Sequence, residues 1–98
     1  MAIKRELAKV HGFVQGVFFR QTVLEIAGRH DVAGTVRNMA DGTLEIDVEG
    51  EALAVDAFLD DVAAHPPPSA RVLRTTREPR TPSGMAGFKP LHSERKPP

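Results

Sequence analysis

Residues 32–50 read Val32-Ala33-Gly34-Thr35-Val36-Arg37-Asn38-Met39-Ala40-Asp41-Gly42-Thr43-Leu44-Glu45-Ile46-Asp47-Val48-Glu49-Gly50. Val32, Gly34 and Val36 alternate with Ala33, Thr35 and Arg37, the period of two expected of a strand. Leu44, Ile46 and Val48 alternate more cleanly with Glu45, Asp47 and Glu49, so one face of this second run is apolar and the other acidic and wet. Between the two runs, Asp41-Gly42 is a strong hairpin signal, because glycine accepts the positive φ that primed turns need. Gly50 breaks the pattern. The two strands are therefore antiparallel neighbours.

Working outward, Phe19, Val23, Ile26 and Ala27 fall at i, i+4, i+7 and i+8, which predicts a helix over about Arg20–Arg29. A strand is expected before it, from about Leu7 to Phe13. On the other side, Val55, Phe58, Leu59 and Val62 fall at i, i+3, i+4 and i+7, a second amphipathic helix over Glu51–Ala64. Pro66-Pro67-Pro68 ends it, since proline has no N–H to continue the ladder. Ala70–Arg74 reads as a fourth strand on Val72 and Leu73. Beyond it, Pro79, Pro82, Gly84 and Gly87 interrupt every pattern, with room for a short edge strand at Met85–Phe88. The order strand, helix, strand, strand, helix, strand predicts an α+β fold of the ferredoxin-like split βαβ type: an antiparallel sheet of four strands with two helices on one face. A single domain is expected over residues 1–88, with a flexible tail at 89–98. That fold hosts many unrelated functions, so function must be argued from a site.

Composition narrows the classes. The chain has 98 residues, about one domain's worth, with 41% hydrophobic and 27% charged residues. Thirteen Lys and Arg balance thirteen Asp and Glu, which argues against a dedicated nucleic-acid or polybasic membrane binder. The absence of cysteine excludes disulfides, thiolate catalysis and Cys-ligated metals. With no Trp, no Tyr and five Phe, a stacking platform for bases is poorly supplied. The opening MAIKRELAKV has no apolar signal-like core and no apolar run approaches ~20 residues, so a cytoplasmic monomer without membrane contact is expected. The neutral total conceals a split. Residues 1–65 carry 11 acids and 6 bases, a net of −5, whereas residues 66–98 carry 2 acids and 7 bases, a net of +5, together with all eight prolines.

The segment Gly12-Phe13-Val14-Gln15-Gly16-Val17-Phe18-Phe19-Arg20 leaves a strand and enters a helix. A loop so placed can aim successive N–H groups at one point, an anion nest to which the helix start adds its own unpaired donors. Gly16 lets the backbone turn and approach a ligand closely. Arg20 brings a planar fork that fits two phosphate oxygens. The combination suits a compact tetrahedral anion. The same residues also read as a simple turn glycine and a solvated arginine. Asn38, at the end of its strand, can orient a water through its amide or can close the loop with local backbone bonds. His11, His30, His65 and His92 include no pair at metal-ligand spacing, so no metal is expected. Asp56, Asp60 and Asp61 read as a solvated acidic helix face. The basic stretch from Arg71 to Lys96 can touch RNA or an acidic partner, but its prolines fit a flexible segment better and it lacks interleaved aromatics.

Gly12, Val14, Gln15, Gly16, Val17, Phe19 and Arg20 match the pattern G-x-V-Q-G-V-x-[FY]-R, and Gly34 to Leu44 followed by Gly50 is similar to G-[FYW]-[AVC]-[KRQAM]-N-x-x-x-G-x-[VILM]…G. In these two motifs, and over roughly residues 5–75, the chain resembles the acylphosphatases. The resemblance implies hydrolysis of the carboxyl–phosphate bond of a small-molecule acyl phosphate to a carboxylate and inorganic phosphate, with no metal, no cofactor and no covalent enzyme intermediate. It places phosphate binding on Arg20 and on the backbone of Gln15, Gly16, Val17, Phe18 and Phe19, and water positioning on Asn38. The chain departs from the family at Phe13, commonly basic or polar; at Phe18, often small; at Thr35, where an aromatic is expected; and after Phe88, where Lys89-Pro90 follows. The competing reading is a non-catalytic phosphate-ligand-binding or regulatory module on the same fold. A third, an RNA-binding domain, is disfavoured by the scarcity of sheet aromatics and by the acidic face of Glu45, Asp47 and Glu49.

Overall fold

The structure is a computed structural model and describes residues 2–95. Its elements are β1 (Ile3–Phe13), α1 (Phe19–Ala27), β2 (Val32–Asn38), β3 (Leu44–Glu51), α2 (Ala52–Ala64), β4 (Arg71–Arg80) and β5 (Phe88–Pro90). The strands form one sheet in the order β4-β1-β3-β2-β5. β3 runs antiparallel to both β1 and β2, so β1 and β2 are parallel to each other with β3 threaded between them, the split βαβ arrangement. The class is α+β and ferredoxin-like, as expected; β5 lies parallel to β2 and makes the five-stranded sheet mixed.

The alternation that opens the sequence argument is realised in β3: Leu44, Ile46 and Val48 are fully buried. They meet Phe19, Val23 and Ile26 of α1 and Val55, Phe58 and Leu59 of α2, and Ala8 and Val10 complete the sheet's inner face. Phe58 also packs on Phe88 of β5, ring centroids 5.4 Å apart.

The outer acidic face is less wet than its pattern predicts. Asp47 accepts Nε–H and one terminal N–H from a single edge of the Arg5 guanidinium, at 2.9 and 2.8 Å. Glu49 is buried because the loop before β5 folds over it. Its carboxylate accepts the N–H groups of Ser83, Gly84 and Met85 at 2.6, 2.8 and 3.0 Å. These bonds, led by that from Ser83, hold its carboxyl below the usual range. On α2, Asp56 meets Lys4 and Arg77, and Asp61 meets His30 and His65, so two of the three acids expected to be simply solvated tie the helix to its neighbours.

Three boundaries differ from expectation. β1 starts at Ile3, where its pairing with Glu51 begins. β4 continues to Arg80, well past Arg74, because its residues pair along β1 from Phe13 to Arg5, with Leu73 left over at one bulge opposite His11/Gly12. At that bulge the glycine is required: Gly12 has φ 135°, and a Cβ there would stand 2.0 Å from the carbonyl oxygen of Arg71. β4 lies on the sheet edge, where Pro79 is tolerated. It is almost wholly exposed, so it has no buried stripe to create an apolar alternation. β5 occupies Phe88–Pro90, later than Met85–Phe88, and the tail expected from Lys89 therefore begins inside a strand. Leu91 and Glu94 continue along β2, donating to the carbonyls of Val36 and Asn38 at 2.9 and 2.8 Å. Residues 96–98 of the expected tail, and Met1, lie outside the described residues.

Candidate active site

The chain between β1 and α1 is anchored by three buried side chains. Val14, Val17 and Phe19 are buried, 1%, 5% and 2% exposed, while Phe18 stands 83% exposed between the last two. Two residues turn left-handed, Gly16 at φ 71° and Phe18 at φ 62°. Such a turn-rich backbone makes an N–H concavity. Among the described residues, no N–H from Gln15 to Arg20 donates to a backbone carbonyl or a side chain. The Phe18 carbonyl accepts from the N–H and the hydroxyl of Thr22, both at 3.1 Å, and so closes the first turn of α1 behind these free donors.

Gln15 does more than lend its backbone. Its side-chain amide donates to the carbonyls of Met39 and Thr43 at 2.7 and 3.0 Å, fastening the cradle to the β2–β3 turn. That turn closes on Asp41, whose carboxylate accepts the N–H and hydroxyl of Thr43 at 3.0 and 2.6 Å. These bonds, the hydroxyl first, hold the Asp41 carboxyl below its ordinary value. The turn thus closes without the side chain of Asn38, contrary to the reading of Asn38 as a local loop-closing residue. Its amide makes no hydrogen bond to another described residue and lines a cleft.

That cleft, about 580 Å³, is lined by Gly16, Phe18, Phe19, Arg20 and Asn38, and on its far side by Leu91 and neighbours. One terminal nitrogen of Arg20 donates to the Leu91 carbonyl at 3.1 Å and to the Ser93 hydroxyl at 3.4 Å. No carboxylate of the described residues pairs with Arg20, so its charge stays available to an anion. Of the residues singled out in sequence, Gly16, Phe18, Phe19, Arg20 and Asn38 meet in this one cleft. The Val17 side chain lies in the core, and that of Gln15 is engaged with the turn, so neither side chain lines the cleft. Leu91, Ser93 and Glu94 were not foreseen; the segment after Phe88 carries no periodicity or motif that signals its position.

A family model for acylphosphatase matches residues 7–90. The chain is 48% identical over 73 residues to an acylphosphatase of Acidovorax sp. strain JS42, covering 74% of this chain and 73% of that one. The crystal structure of acylphosphatase from Bacillus subtilis superposes with a TM-score of 0.84 at 31% identity, covering 92% of this chain and 99% of that one. Full-length HypF in its phosphate- and nucleotide-bound form superposes with a TM-score of 0.88 at 30% identity, covering 95% of this chain but spanning only 12% of HypF. The chain belongs to the acylphosphatase family.

Proposed function

We propose that this protein hydrolyses acyl phosphates, with the backbone of the 15–19 loop and Arg20 holding the phosphate and Asn38 aiming the attacking water. The observation that carries the reading is the meeting, in one cleft, of a run of N–H groups, an arginine and an amide that, among the described residues, have no backbone acceptor, no carboxylate and no hydrogen-bond partner respectively.

Phosphoryl transfer asks mainly for positioning and for stabilisation of charge on the three equatorial oxygens. Backbone donors already fixed by the fold supply that stabilisation without reorganising. Asn38 accepts from and donates to a water, placing its oxygen in line with the phosphorus–oxygen bond to be broken. Water's oxygen bonds to phosphorus, the carboxylate leaves with the electron pair of that bond, and the water's proton passes to a phosphate oxygen. A carboxylate is a weak base, so its departure needs no strong general acid. A merely phosphate-binding module has no comparable use for the free amide of Asn38, which favours the catalytic reading.

No described helix is long and apolar enough to cross a membrane. A monomer in the cytoplasm, handling a small-molecule substrate without nucleic acid, belongs to the same proposal. The direct test is release of inorganic phosphate from acetyl phosphate with EDTA present. Acceleration over spontaneous hydrolysis is expected, and its absence sinks the enzymatic reading.

A further inference from the structure

The chain after β5 keeps to the edge of β2 up to the turn. Leu91 donates to Val36, and Glu94 makes two bonds to the backbone at and just after the cleft's asparagine. Its N–H donates to the Asn38 carbonyl at 2.8 Å, and its carboxylate accepts the N–H of Ala40, also at 2.8 Å. One residue thus grips the backbone immediately at and two residues beyond Asn38. On the other side, Gln15 holds the carbonyl of Met39. The backbone that follows the free amide is thus held by Gln15 and by Glu94, and Leu91 and Ser93, between β5 and Glu94, rest on Arg20.

We propose that Glu94 is a positioning residue of this active site, setting the direction of the Asn38 amide by gripping the backbone at Asn38 and Ala40. The inference rests on the acyl phosphate reading given above. Its logic is geometric. The turn is already closed by Asp41 and Thr43, so the Glu94 clamp is not needed to form the hairpin. What it restrains is rotation of the Asn38–Met39 and Met39–Ala40 peptides, which follow the amide directly, and small misplacements of a catalytic group are costly in rate. A charged acceptor on a backbone N–H makes a stronger bond than a neutral one, which suits a clamp near the chain's exposed surface.

The experiment measures kcat for acetyl phosphate and competitive inhibition by inorganic phosphate in the full chain, for wild type, Glu94→Ala, Glu94→Gln, Asn38→Ala and the Glu94→Ala/Asn38→Ala double variant. Glu94→Ala is expected to lower kcat about tenfold with the phosphate inhibition constant nearly unchanged. Glu94→Gln keeps an oxygen for the Ala40 N–H and recovers most of the loss. The double variant is no slower than Asn38→Ala alone, because a residue that acts through Asn38 has nothing left to position. Unchanged kcat in Glu94→Ala, equal losses in the Ala and Gln variants, or additive losses in the double variant overturns the inference while leaving acyl phosphate hydrolysis standing. A wild type that releases no phosphate refutes the proposed activity itself, and the positioning role with it.

Discussion

The side-chain amide of Gln15 donates to the main-chain carbonyl of Met39 at 2.7 Å, joining two segments 24 residues apart in sequence. A second bond, to the Thr43 carbonyl at 3.0 Å, makes the join two-pronged. The cradle that follows β1 and the turn that carries Asn38 are thereby one rigid assembly. Removing the amide leaves two half-buried carbonyls without this donor. Gln15→Ala should cost about 1–3 kcal/mol of stability in denaturant unfolding. It should also lower kcat more than phosphate affinity, because it loosens the turn and leaves the cradle's own N–H groups in place. Unchanged unfolding and kcat would contradict the join.

Arg20 and Asn38 should separate in their effects. Arg20→Ala removes the guanidinium that lines the cleft and is expected to raise the inhibition constant of inorganic phosphate at least tenfold. Asn38→Ala should reduce kcat by 10²-fold or more, the order seen when a positioning group is lost, with phosphate inhibition changed less than about threefold. Phosphate affinity retained in Arg20→Ala, or lost in parallel with turnover in Asn38→Ala, would reverse the assignments.

Glu49 should contribute to acid sensitivity. Its carboxyl is held low by three backbone N–H donors, the Ser83 bond foremost. A depressed folded-state value means that its stabilisation is present above the unfolded carboxyl value of about 4.3 and is lost as pH falls through the lower folded one. Glu49→Gln should therefore unfold at a lower temperature than wild type at pH 7, with the gap narrowing towards pH 3. Thermal scans at the two pH values check this, and a gap that widens on acidification rejects it.

Phe18 occupies the left-handed region at φ 62°, ψ 23° with its ring 83% exposed. A non-glycine residue pays roughly 1–2 kcal/mol there, partly offset by the extra freedom glycine has when unfolded. Phe18→Gly should hold or raise stability by up to about 1 kcal/mol in denaturant unfolding, leaving phosphate inhibition unchanged. A clear loss of stability would show that the exposed ring packs in a way this geometry lacks.

Much of this architecture is written in local patterns. Leu44, Ile46 and Val48 bury and Glu45, Asp47 and Glu49 face outward because the pleat has period two. Val55, Phe58, Leu59 and Val62 bury because a helix has period 3.6. Gly16, Arg20 and Asn38 are visible as chemistry-bearing residues at the ends of such elements, and the two motifs that carry them resemble one family's.

Only the tertiary structure decided the rest. Arg71–Arg80 is a strand because β1 offers its edge, and that bonding is made by backbone groups indifferent to side-chain type. Glu49 reads as a wet face residue until a loop 34 residues later covers it and supplies its donors. The same holds for the pairing of Gln15 with Met39 and of Glu94 with Ala40. Periodicity records what each element buries against the core. It carries no trace of polar contacts between segments distant in sequence, which arise only when the chain is closed on itself.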